Sequence, residues 1–137
     1  MKQLLFISVL LAVIVSCSGP RNTPRISQAN EQEAVEDSVE YALETFDGRF
    51  KTWYTLHNNP SQYRSQQYYE NWNRQYVVAW NSKAMQPRNR FFEPIIGYEP
   101  HVDYGFELNH ELFYYFLYVE RVLNIPIMNA GPRGYNF

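Results

Sequence analysis

The 137-residue sequence predicts a small, mostly helical α+β domain with a few short strands. Three observations carry that expectation. Of the 24 Phe, Trp and Tyr residues, all but Phe6 fall between Tyr41 and Phe137. Aromatic side chains bury ~150–250 Å² each, so one small domain can build a core from them. Leu108, Leu112, Tyr115, Phe116, Val119, Val122 and Leu123 recur at helical spacing. Around Val39–Phe46 the spacing is closer to two, with Val39, Tyr41, Leu43 and Thr45 alternating with Glu40 and Glu44.

The chain opens on Lys2 and a mostly apolar run, Leu4 to Val15. That run is short of the roughly 20 residues a membrane span needs and suits the core of a signal peptide. It ends in Ile14-Val15-Ser16-Cys17, which resembles the lipobox of bacterial lipoproteins. The resemblance implies lipid attachment at Cys17, with palmitate-type chains, and cleavage that makes Cys17 the first mature residue. One acyl chain gives only marginal membrane binding; the three that such a cysteine carries would anchor permanently. Ser18-Gly19-Pro20-Arg21-Asn22 holds no acidic sorting tag. By the same resemblance the expected place is the outer membrane, facing the periplasm.

Four segments follow from this. Residues 1–16 are the signal peptide, and 17–37 the lipidated cysteine with a polar, flexible tether containing Pro20 and Pro24. Residues 38–130 are the aromatic-rich globular domain, and 131–137 a loose tail. In the domain, alternation favours a strand at 39–46, although Val35, Val39, Ala42, Leu43 and Phe46 also fit a helical stripe. Asp47 is a candidate N-cap for a short helix whose inner face is Phe50, Trp53, Tyr54 and His57. A second helix is expected from an Asn59 cap and Pro60 in its first turn to about Ala84. Tyr69, Trp72, Tyr76, Ala79, Trp80 and Lys83 share one of its faces, and Glu70 and Arg74 can pair on another. Residues 87–105 read as an ordered loop with apolar groups to bury and a short strand at Ile95–Tyr98. A third helix runs from Glu107 to Asn124, stopped by Pro126.

Composition excludes several functions. Without residues 1–16, 11 basic groups face 14 acidic ones, a formal charge of −3. No basic run exists to neutralise phosphates, which argues against nucleic acid as a partner. Cys17 is the sole cysteine. Once lipidated it leaves no thiol for disulfides, nucleophilic catalysis or thiolate metal sites. The six glycines form neither GxGxxG nor GxxxxGK[ST], and no cofactor is expected.

Tyr68-Tyr69-Glu70-Asn71-Trp72-Asn73-Arg74, Val77-Val78-Ala79-Trp80-Asn81 and Asp103-Tyr104-Gly105-Phe106-Glu107-Leu108-Asn109 together resemble a family of short envelope lipoproteins of unknown function. The resemblance covers about Val39 to Ile127 and implies envelope location and a single domain. It implies no activity. The family is expected to carry an aromatic residue where this chain has His110.

Candidate sites are few. Glu107 and His110 have the Glu-x-x-His spacing of bundle metal sites, with His101, Asp103 and Glu111 nearby. The chain lacks a second such motif, and Tyr114 replaces the second histidine of HExxH. A helix N-terminus favoured by Asp103 and Glu107, with His110 on a polar face, explains the cluster better than a metal. Ser61, Ser65 and Ser82 lie on or beside helices without a GxSxG elbow, so neither a hydrolase nor a metal-dependent enzyme is favoured. Tyr68, Tyr69, Glu70, Asn71, Trp72, Arg74, Trp80 and Asn81 form the candidate ligand or partner surface. Such a surface suits a protein interface or, as the alternative, a cell-wall glycan such as peptidoglycan stacked on the rings. The reading is a non-enzymatic interaction or accessory module held on the membrane.

Overall fold

A computed structural model describes residues 24–28, 41–45, 47–92 and 95–135. Residues 1–23, which hold the expected signal peptide, residues 29–40, Phe46, Glu93, Pro94 and the last two residues lie outside that set. The elements are β1 (Arg25–Gln28), β2 (Tyr41–Glu44), α1 (Gly48–His57), α2 (Gln66–Ala84) and α3 (Gly105–Arg121), with 3₁₀ turns at Pro60–Gln62 and Arg90–Phe92. The class is the expected one, mostly helical α+β.

α3 lies at the centre. Every residue from Leu112 to Val119 is buried. The periodicity predicts a single apolar stripe; instead Phe113, Tyr114, Leu117 and Tyr118 close the remaining faces, and Val122 points outward. A helix apolar all round must be covered all round. α1, α2 and β2 each pack against it.

The strand at 41–44 appears as the alternation predicts, with Leu43 inward and Ala42 and Glu44 outward. Its partner is one that the sequence pattern does not announce. β1 lies inside the stretch expected to be tether, and pairs antiparallel with β2 in the register Arg25↔Glu44, Ile26↔Leu43, Ser27↔Ala42, Gln28↔Tyr41. Four residues with one apolar side chain carry little periodic signal. The unpaired backbone edge of β2 supplies what the sequence pattern lacks, and Ile26 packs on the core beside Leu43.

α1 forms as expected. Asp47 Oδ1 accepts from Arg49 N at 3.0 Å, and Phe50 meets Tyr115 edge-on at 5.0 Å. α2 begins later than expected. Asn59 caps only the 3₁₀ turn. The chain is then extended at Tyr63, whose ring packs on Phe106 and His110. Ser65 makes the cap of α2 through Tyr68 N at 3.2 Å. Residues 95–99 form no strand. Asn81 of α2 holds them instead, donating to Ile96 O at 3.0 Å and accepting from Ile96 N at 2.8 Å. The amide side chain thus does for one residue what a neighbouring strand would do.

The tail is docked rather than loose as far as Tyr135. Asn124 takes a left-handed conformation, φ 55°, and turns the chain back over α3. Glu120 then accepts from Ile127 N at 3.1 Å and Met128 N at 2.9 Å through Oε1, and from the Tyr76 hydroxyl at 2.8 Å through Oε2. Gly131 lies so close that a Cβ there would stand 3.0 Å from the Tyr76 hydroxyl. Arg121 donates to the carbonyls of Pro132 at 3.1 Å and Tyr135 at 3.4 Å.

Glu120→Ala strands three donors at once. Glu120 is only partly buried, so water takes up part of what three such bonds contribute, and the variant is expected to lose about 2–3 kcal/mol in urea unfolding and to be clipped faster by trypsin after Arg133. Unchanged stability and cleavage would show that the carboxylate does not hold the tail.

Candidate functional site

The expected surface on α2 divides. Tyr69 and Trp80 are 0% exposed and do not belong to it. Tyr69 packs on Phe113 and His110, and Trp80 meets Phe92 edge-on at 5.0 Å. A one-face helical stripe on an aromatic-rich helix goes to the core first, since apolar burial is worth roughly 25 cal/mol per Å². Asn81 is committed to Ile96. What faces outward is Tyr68 and Trp72, half-buried, with Glu70, Asn71 and Arg74. Tyr68 and Trp72 meet at 6.5 Å, one turn apart, and the Arg64 guanidinium stands 6.0 Å above the Tyr68 ring.

A polar ledge lies on the opposite flank of α2 from these rings. Gln66 Nε2 donates to Glu70 Oε1 and to Asp103 Oδ1, each at 2.8 Å. Arg74 lies 3.8 Å from Glu70 Oε2, the expected one-turn pair, and reaches Pro100 O at 3.5 Å. Both groups are partly exposed, so the pair adds little stability. Its charges are available to a partner on one flank, and the rings on the other.

The Glu107–His110 cluster does not assemble. Glu107 and His101 are exposed, while His110 is fully buried, so His110 is a core residue and not on a polar face. Among the described residues no three metal-ligating side chains come together. Tyr54, Tyr63, Tyr69, Phe106 and Tyr114 ring the imidazole, with centroids 4.4–5.7 Å away. His110 Nδ1 and the Tyr54 hydroxyl share a hydrogen bond at 2.8 Å, and Nε2 meets no partner among the described residues. Burial drops the His110 pKa to about 4, so the ring is neutral at pH 7. An aromatic residue at this position would fill the same box. Burial also raises the Glu111 carboxyl, against the pull of Lys51 and with the push of Glu107.

Sequence reasoning missed the polar groups that serve the interior. Asn73 Nδ2 donates to Asn109 O at 2.9 Å and to Asn109 Oδ1 at 3.1 Å, and the Tyr98 hydroxyl donates to the same Oδ1 at 2.8 Å. Tyr118 donates to Asp47 Oδ2 at 3.3 Å. Their signal was present: Asn73 sits four residues after Tyr69 and three before Tyr76, a core position with a polar occupant. An open groove at the end of α3 is lined by Glu120, Arg121, Asn124, Pro126, Met128 and Gly131, but both of its charged groups are already spent on the tail.

The chain belongs to a family of unknown function, DUF6146, whose model matches residues 4–130. No curated protein and no solved structure matches it.

His110 makes stability depend on acid. Its folded pKa lies below the unfolded value near 6.5, so the stabilisation is complete above pH 6.5 and is lost as pH falls towards 4. Wild type is expected to lose about 3 kcal/mol relative to His110→Phe over that range, read as the difference between the two urea-unfolding series. Glu111 titrates with the opposite sign but is common to both chains. Parallel pH curves would show that His110 is not held neutral.

Proposed function

We propose that the protein is a lipid-anchored component of the bacterial envelope, held through Cys17 on the periplasmic face of the outer membrane. There it acts as a non-enzymatic accessory module that docks another envelope protein. The observation that carries the anchoring is the position of the sole cysteine. It closes the apolar run Leu4–Val15 and precedes β1 by eight residues. The family match begins inside that run and continues to residue 130, which supports reading leader and domain as one unit. No helix among the described residues is long and apolar enough to cross a membrane.

The docking role is supported by how the chemistry is distributed. Asn73, Asn109, Asp47, Glu120 and Arg121 satisfy the interior and the tail. Burial pushes Tyr98 and Tyr114 up to about 12 and raises Tyr54, Tyr76 and Tyr115, so these phenols stay neutral. Tyr68, Trp72, Glu70 and Arg74 remain outward, and aromatic residues with arginine are what interface centres favour. Half-exposed rings beside Asn71 also suit a cell-wall glycan, the second reading.

In a bacterial host fed a palmitate analogue, the wild-type chain is expected to take up label and Cys17→Ser to take up none; label in the serine variant would overturn the anchor. The domain is expected to stay in the supernatant when purified sacculi are pelleted. Sedimentation that Trp72→Ala abolishes would replace the docking role by the glycan reading.

A further inference from the structure

The hairpin sets how far the domain can stand from a membrane. Cys17 and Arg25 are eight peptide steps apart, so the chain joining them reaches at most ~29 Å. The register then says which end of the domain the anchor enters. Arg25 lies opposite Glu44, and Glu44 leads through Thr45 to Asp47, the cap of α1. The twelve residues 29–40 leave from the other end, where Gln28 faces Tyr41.

α1 itself contains no acidic residue. Phe50, Trp53, Tyr54 and His57 face inward. Arg49, Lys51, Thr52, Thr55 and Leu56 form the outward arc, with Leu56 77% exposed and the Arg49 side chain 82% exposed. The acids bordering this arc are Asp47, buried as the cap with Oδ1 3.6 Å from Arg49 Nε, Glu44, bonded to Ser27 at 2.8 Å, and on α3 the half-buried Glu111, which feels Lys51, and the exposed Glu107 beside it. The highly exposed Arg49 pair adds little stability and can open to a phosphate.

We propose, on the reading that Cys17 is lipidated, that the outward arc of α1 rests on an anionic phospholipid surface. Arg49 and Lys51 flank the arc and meet headgroup phosphates, while Leu56 enters the boundary with the acyl chains. A short anchor holds the arc at the surface, and cations with an exposed apolar group are what retain a helix there. Their flexible stems let both charged ends reach phosphate from the sides of the helix.

Residues 17–137 contain the whole described fold and two lysines, Lys51 and Lys83. Lys83 sits in the last turn of α2 rather than on α1, bonded to Pro126 O at 2.9 Å, and serves as internal reference. The chain is coupled through Cys17 to a maleimide lipid in vesicles of phosphatidylglycerol and phosphatidylcholine, acetylated with an amine-reactive reagent and read by mass spectrometry. Lys51 labelling is expected to fall about threefold or more against Lys83 relative to the uncoupled chain, and to recover in Arg49→Glu/Leu56→Glu. A smaller change, protection of Lys83 instead, or equal protection on pure phosphatidylcholine would overturn the proposal. Because the lipid is attached chemically, these outcomes are independent of whether cells lipidate Cys17, which the palmitate label decides.

Discussion

The fold depends on a helix that cannot be exposed on any side. From Leu112 to Val119, α3 presents only aromatic and aliphatic groups, and all eight are buried. Leaving any one face in water would cost roughly 1.5–3 kcal/mol per large side chain, so the rest of the chain is arranged as its cover. α1 takes the side of Tyr115 and Tyr118, α2 that of Phe113 and Phe116. β2 and the returning tail close what remains.

A core built from tyrosine brings polar atoms inside, and their satisfaction explains much of the remaining architecture. Tyr98, Asn109 and Asn73 form one buried set joining the loop, α3 and α2. Tyr76 finds Glu120, and Tyr118 finds Asp47, which also caps α1. An unpaired polar group in this interior costs about 1–3 kcal/mol. Each pairing therefore fixes the relative position of two elements as well as filling space. Two atoms escape that scheme among the described residues: Asn73 Oδ1, and His110 Nε2, which faces rings while Nδ1 is partnered.

The consequence for function is a separation of roles. The interior absorbs the residues that looked most chemical, and the surface retains scattered charge and a few half-exposed rings. Pairing of β1 with β2 also converts part of an apparent tether into folded structure.

Strongly periodic segments are legible from residue spacing alone. The α+β class, α1 with its Asp47 cap, the third helix and the strand at 41–44 all follow from local patterns that one segment carries by itself. So does the Glu70–Arg74 pair, because one helical turn sets its distance. The rest needed partners distant in sequence. β1 becomes a strand because β2 offers an edge, and Asn81 replaces the strand expected at Ile95–Tyr98. The tail is ordered because Glu120 and Arg121 reach it. Tyr69 and Trp80 differ from Tyr68 and Trp72 only in which neighbour the helix meets, and periodicity cannot rank the sides of a helix that is aromatic on several of them. The sequence by itself determined the apolar opening run ending at Cys17, the helical periods and the absence of thiol chemistry elsewhere, since these depend on residue type and spacing alone. Only the tertiary structure decided which aromatics and which histidine are inside, because burial is a property of long-range packing around α3.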